Sequence, residues 1–173
     1  PNKENSYIYE RKSRNTRTDV ISQSTAIAIQ QAIIKQNIPS LQENLEKLLL
    51  NSISAFDYAH ENFYHGLVIG LCAVMNNRYF VSSNVESGHG RYDIQLRPIN
   101  KRLPGIIIEL KVLKDGVAED RIDSQLEAAA KDALGQIKEK KYVTAMQQEG
   151  FTHFFKIGAA FYKKHVKVLS QAE

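Results

Sequence analysis

Apolar residues recur along this chain at two periods, and the switches between them mark out its elements. From Val20 to Lys35 the spacing is helical, with Ile27, Ala28, Ile33 and Ile34 as packing residues. Asn37-Ile38-Pro39 stops that pattern. Ser40 and Glu43 then fit a capping box, and Leu41, Leu45, Leu48 and Leu49 form the stripe of a second helix that fades between Asn51 and Phe56. Asp57 is placed to cap a third helix. Its buried face runs through Phe63, Tyr64, Leu67, Val68, Leu71, Cys72 and Met75, and Asn76-Asn77 ends it.

The period then shortens. Arg78 to Val85 reads as a strand, Gly88-His89-Gly90 as a tight turn, and Arg91 to Arg97 as a second strand, together an antiparallel hairpin. Pro98 to Pro104 is a polar loop, Gly105 to Val112 a third strand, and Asp115-Gly116 a turn. The longest helical stretch follows, Glu119 to Tyr142, with Ile122, Leu126, Ala129, Ala130, Ala133, Leu134 and Ile137 on its packing face. The alanines allow close approach to a sheet, and Gly135 inside the helix predicts a packing contact or a kink, since glycine there costs about 1 kcal/mol relative to alanine. Val143 to Glu149 reads as a short helix ended by Gly150. Phe151 to Phe161 is a fourth strand, Tyr162 to His165 a turn, and Val166 to Leu169 a short last strand. Residues 1–19 show no sustained period and read as an arm or linker before one α/β domain over residues 20–173.

The chemistry sits where this pattern is interrupted. Gly105 to Leu110 is strongly apolar except for Glu109, and Lys111 follows at once. Alternation along a strand puts Glu109 and Lys111 on one face and Ile108 and Leu110 on the other. Buried charges need pairing, hydrogen bonds or a metal. If the strand ending in Asp93 lies beside it, two carboxylates and a lysine converge, a set suited to divalent-metal phosphodiester chemistry. Asp93 and Glu109 would hold one or two hard cations such as Mg²⁺, with the Leu110 carbonyl as an extra ligand. Lys111 would orient water or donate to phosphate. Glu61, on the third helix, would reach the metal directly or through water, and Gln136 and Tyr142 would fix a water or a phosphate from the long helix. Ser87, His89 and Arg91 surround a glycine turn through which backbone can approach a phosphate. The competing structural explanation is an internal ion-pair network of Asp93 or Glu109 with Lys111 or Arg91.

Composition narrows the classes. The chain has 173 residues, 43% hydrophobic and 24% charged, the balance of a soluble globular domain. Its longest apolar run, Leu67 to Met75, is too short to span a membrane. The polar N-terminus reads as lacking a secretory leader, a cytoplasmic location is expected, and the missing initiator Met suggests a fragment or a processed form. One cysteine, Cys72, excludes a disulfide framework and a cysteine zinc cluster. His60-Glu61 lacks the second histidine of a zinc protease motif. A net charge of +4 permits a polyanionic partner without demonstrating one.

The ordered series His60-Glu61-Asn62-Phe63-Tyr64-His65-Gly66, Ser83 to Asp93, Ile107-Ile108-Glu109-Leu110-Lys111 and Gln136 to Tyr142 resembles the PD-(D/E)XK nuclease superfamily. More closely it resembles the nuclease-like domain at the C-terminal end of bacterial proteins whose N-terminal part is an AAA-type ATPase. The likeness covers about residues 20 to 170 and implies a restriction-endonuclease-like mixed β-sheet flanked by helices, here with an additional N-terminal helical region. Asp93 resembles the family's strand aspartate, Glu109 its second acidic residue, Lys111 its lysine, Glu61 the acidic residue of its first core helix, and Gln136 a polar residue of the following helix. Tyr92 stands where the motif has proline. The resemblance implies DNA cleavage with Mg²⁺ or Mn²⁺, an AAA-type ATPase domain in the same parent chain, and the alternatives of a noncatalytic nucleic-acid-binding or regulatory domain, or a homodimerisation module built on the leucine-rich helices.

Overall fold

The computed structural model describes residues 23–52, 61–84, 86–87, 90–91 and 93–172. The expected arm at 1–19, the Asp57 cap and His89 lie outside the described residues. Three helices come first: α1 (Gln23–Ile34), α2 (Ile38–Ser52) and α3 (Glu61–Ala73). A five-stranded sheet follows, ordered β1 (Tyr79–Ser83), β4 (Ile94–Pro98), β5 (Gly105–Val112), β6 (Phe154–Tyr162) and β7 (His165–Ala172). A two-stranded ribbon, β2 (Glu86–Ser87) with β3 (Gly90–Arg91), caps the β1–β4 hairpin. Between β5 and β6 the chain forms a 3₁₀ turn (Glu119–Arg121), then α4 (Ile122–Glu139) and α5 (Thr144–Gln148).

Among the described residues only the β5–β6 pair is parallel, and α4 makes its crossover, so the sheet is mixed and flanked by helices as expected. Alternation sorts the strand residues into two layers. Ile94, Leu96, Ile106, Ile108, Leu110, Ile157, Ala159 and Phe161 pack with α1–α3 in one core. Ile107, Phe154, Ala160 and Tyr162 pack under α4 and α5 on the other face. Glu109 and Lys111 belong to this second face. All nine residues of β6 are buried, which makes it a central strand with no polar-out alternation.

Several boundaries differ from the sequence reading for identifiable reasons. Asn37, not Ser40, caps α2: its side chain accepts from the Ser40 amide at 3.1 Å. Pro39 is tolerated inside the first turn, where its missing N–H would have no helical partner. Glu43 is left to pair with Lys47 at 2.6 Å. The strand expected from Phe151 begins at Phe154, because Phe151 is committed to the α5 cluster. The last hairpin turns tightly at Lys163-Lys164, with Lys163 at φ 52°, and β7 runs on to Ala172. Its exposed Ser170 and Gln171, ordinary for an edge strand, concealed that extension. Gly135 meets nothing that an added Cβ would touch. The close helix–sheet contact is at Gly158, where a Cβ would overlap the Ala130 carbonyl and approach Leu134 Cγ at 3.0 Å.

Candidate active site

The β4–β5 ladder runs in register from Leu96↔Ile106 to Ile94↔Ile108. Its next step would set Asp93 opposite Glu109. There the pairing changes character. The Leu110 amide donates to Asp93 Oδ2 at 2.7 Å, so the aspartate side chain stands in for a strand carbonyl at the ladder's end. The Asp93 backbone amide in turn favours the charged form of the Glu109 carboxylate. The Asp93 carbonyl is held on its far side, accepting from the Asn84 amide at 3.1 Å and lying 3.2 Å from His65 Nε2. Backbone and helix thus fix Asp93 where the two strands part.

Glu109 points the other way from the main core, under α4, and is 3% exposed. Gln136 of α4 sits across it. Its Nε2 donates to Glu109 Oε1 and, at 3.1 Å, to the Tyr142 hydroxyl, while its Oε1 accepts from Lys111 Nζ at 2.7 Å. Only one orientation of the amide serves both a carboxylate and an ammonium, so the two charges set it. Lys111 also lies 3.6 Å from Asp132, one turn before Gln136 and largely exposed. That outer pair is screened by water and adds little.

The electrostatics are those of two carboxylates short of positive charge. Burial pushes the Glu109 carboxyl from 4.5 up to about 8, and the nearby Asp93 charge adds to this; the Asp93 amide, Lys111 and Gln136 oppose it without cancelling it. Burial also raises Asp93, with Glu61 contributing, against the Leu110 amide, His65 and Lys111. Glu109 Oε2 is buried and has no hydrogen-bond partner among the described residues. An unpartnered carboxylate oxygen beside a second carboxylate is what a hard cation would complete, so this donor set fits Mg²⁺ or Mn²⁺.

Of the residues singled out from sequence, Asp93, Glu109, Lys111 and Gln136 converge. Glu61, exposed at the first turn of α3, adds its charge to Asp93. Among the described residues no three His, Cys, Asp or Glu side chains are grouped to hold an ion by themselves. Tyr142 requires a correction. It is 1% exposed and meets Gln136, so it supports the site from within instead of contacting nucleic acid. Lys141, at φ 54°, turns the chain after α4 and folds Tyr142 inward. Ser87 and Arg91 lie on the β2–β3 ribbon. Sequence reasoning missed His65 as the Asp93 brace, although its spacing from Glu61 was visible, and missed Gly158, whose role only the register discloses.

A cleft of about 700 Å³ opens elsewhere, between α2, α4 and β7. Its Glu127 is already paired with Lys131 and Lys167, and none of the converging residues lines it.

A family model described as the PD-(D/E)XK nuclease superfamily matches residues 59–171. That span begins just before α3 and leaves α1 and α2 outside it. Comparison with curated proteins finds no match.

Proposed function

The chain belongs to the PD-(D/E)XK nuclease superfamily, and from that premise we propose that it is a metal-dependent endonuclease hydrolysing phosphodiester bonds in DNA. The observation that carries this reading is that Asp93 is held by the Leu110 amide, one residue from Glu109, where the β4–β5 ladder ends, with Glu109 Oε2 buried and unpartnered. Asp93 and Glu109 would hold Mg²⁺ or Mn²⁺. The Leu110 amide is spent on Asp93, and a strand residue's N–H and C=O point to the same side. The Leu110 carbonyl therefore shares that strand edge and serves as a third ligand. Such a cation supplies Lewis acidity toward the phosphate and lowers the pKa of water.

Lys111 presents its ammonium on the same strand face as Glu109, where it orients water and offsets charge on the phosphate. Gln136 fixes the Lys111 head and the Glu109 carboxylate relative to each other. Glu61 reaches the site through water. Binding rests on phosphate contacts, for which Arg91 and the β2–β3 ribbon, just before Asp93 in the chain, are the candidates. An AAA-type ATPase domain in the same parent chain would deliver the substrate.

Incubation with Mg²⁺ or Mn²⁺ and linear, supercoiled, single-stranded and branched DNA tests the proposal. Cutting that is lost in Lys111→Ala and in EDTA supports it. Cutting no greater than that of a Lys111→Ala preparation contradicts it.

A further inference from the structure

We propose that the open flank of the sheet beside the carboxylates, built from Phe80, Arg97 and Ile99, seats an unpaired stretch of the polynucleotide strand with a base stacked on Phe80. The proposal rests on the nuclease reading and adds the form of substrate that the site takes. β1 is an edge strand, and Phe80 stands directly opposite Arg97 in the β1–β4 register. The Ile99 amide continues that pairing onto Arg78. By alternation Gln95 and Arg97 of β4 share one face, with Asp93 just before the strand and Ile99 just after it.

Phe80 is 56% exposed and Ile99 52% exposed. Isolated surface apolar residues need no explanation, but Phe80 lies under a fixed guanidinium, and the strand pairing beside it carries on to Ile99. The Arg97 guanidinium lies 5.0 Å from the Phe80 ring centroid and is held by Glu149 at 2.7 Å. Lys101 is tied to the Glu149 carbonyl at 2.6 Å and lies 5.4 Å from the Phe151 ring centroid. Glu149, just after α5, thus pins an arginine beside the exposed Phe80 and a lysine beside the buried Phe151.

An aromatic face with anchored cations complements a base and its phosphates. Lysine is depleted at protein–protein interfaces, which disfavours a protein occupant. A duplex keeps its base faces stacked internally, so only unpaired nucleotides can use Phe80. From Arg97 to Asp93 the strand rises about 13 Å at ~3.3 Å per residue. That is the reach of about four nucleotides at a stacked spacing of ~3.4 Å.

Fluorescence anisotropy in EDTA tests this with the 173-residue chain and a short labelled oligonucleotide, single-stranded or as its duplex. Phe80→Ala is expected to weaken single-strand binding about tenfold, the size of one lost base stack, and to change duplex binding less than twofold. Phe80→Trp is expected to retain both, with unaltered circular dichroism in each variant. Equal loss on both substrates, or no loss on either, overturns the proposal. So does a dimer in sedimentation that Phe80→Ala dissociates, which would assign the flank to a second copy. Metal-dependent cleavage with single-strand binding indifferent to Phe80 overturns this inference alone. Phe80-dependent single-strand binding without cleavage overturns the nuclease reading alone.

Discussion

Gly158 stands in register with Glu109 on the neighbouring strand, and the missing side chain there is what lets α4 approach closely enough for Gln136 to reach the carboxylate. An added Cβ would meet the Ala130 carbonyl, which is helix backbone and cannot swing aside. Gly158→Ala should therefore cost about 1–3 kcal/mol. At roughly 2–4 °C per kcal/mol for a chain of this size, thermal denaturation should show a clear fall in Tm. Gly135→Ala, by contrast, meets open space and should be neutral or slightly stabilising.

Glu109 makes the metal-free protein pH-sensitive. Its carboxyl is raised from 4.5 to about 8 in the folded state, so the native protein binds the extra proton between those values. Stability then falls as pH rises through that window, and is fully present below it. Without metal, Tm should decline from pH 5 to pH 8. Glu109→Gln should flatten that decline and raise Tm at pH 8 while abolishing cleavage. A Tm that rises with pH across the window, unchanged by Glu109→Gln, would contradict the assignment.

Gln136 and Tyr142 should separate in kinetics. Gln136→Ala removes the bridge between Lys111 and Glu109 and leaves both groups unheld, so kcat should fall about 10²-fold, in line with lost positioning. Tyr142→Phe keeps the packing and removes only the hydroxyl that Gln136 meets. A fall of about three- to tenfold in kcat with KM unchanged is expected. A loss of DNA affinity on Tyr142→Phe would mean that the phenol contacts substrate after all.

The α2 cap offers a test remote from the site. Asn37→Ala should cost about 1 kcal/mol, and Ser40→Ala less than half of that, measured by urea denaturation. The reverse order would restore the capping box.

Much of the site was legible because strand alternation has period two. Glu109 and Lys111 had to share a face, and the hairpin before them had to bring Asp93 near. What sequence could not disclose depended on neighbours distant in the chain. The exposure of Tyr142 was decided by α5 and by one left-handed residue, Lys141. The glycine that mattered was identified by register and not by its place in a helix. Pro39 reads equally well as a helix stop or as a first-turn residue, and the side chain of Asn37 decides between them. The long β7 hid behind the polar composition that an edge strand can afford.

The most direct test of the account is a calorimetric titration of Mn²⁺ into EDTA-stripped wild-type, Asp93→Asn and Glu109→Gln proteins at pH 8. Saturable binding by wild type, weakened at least tenfold in each variant, is the predicted result. Binding that is equal in all three proteins, or absent from wild type, would contradict a metal site built on Asp93 and Glu109.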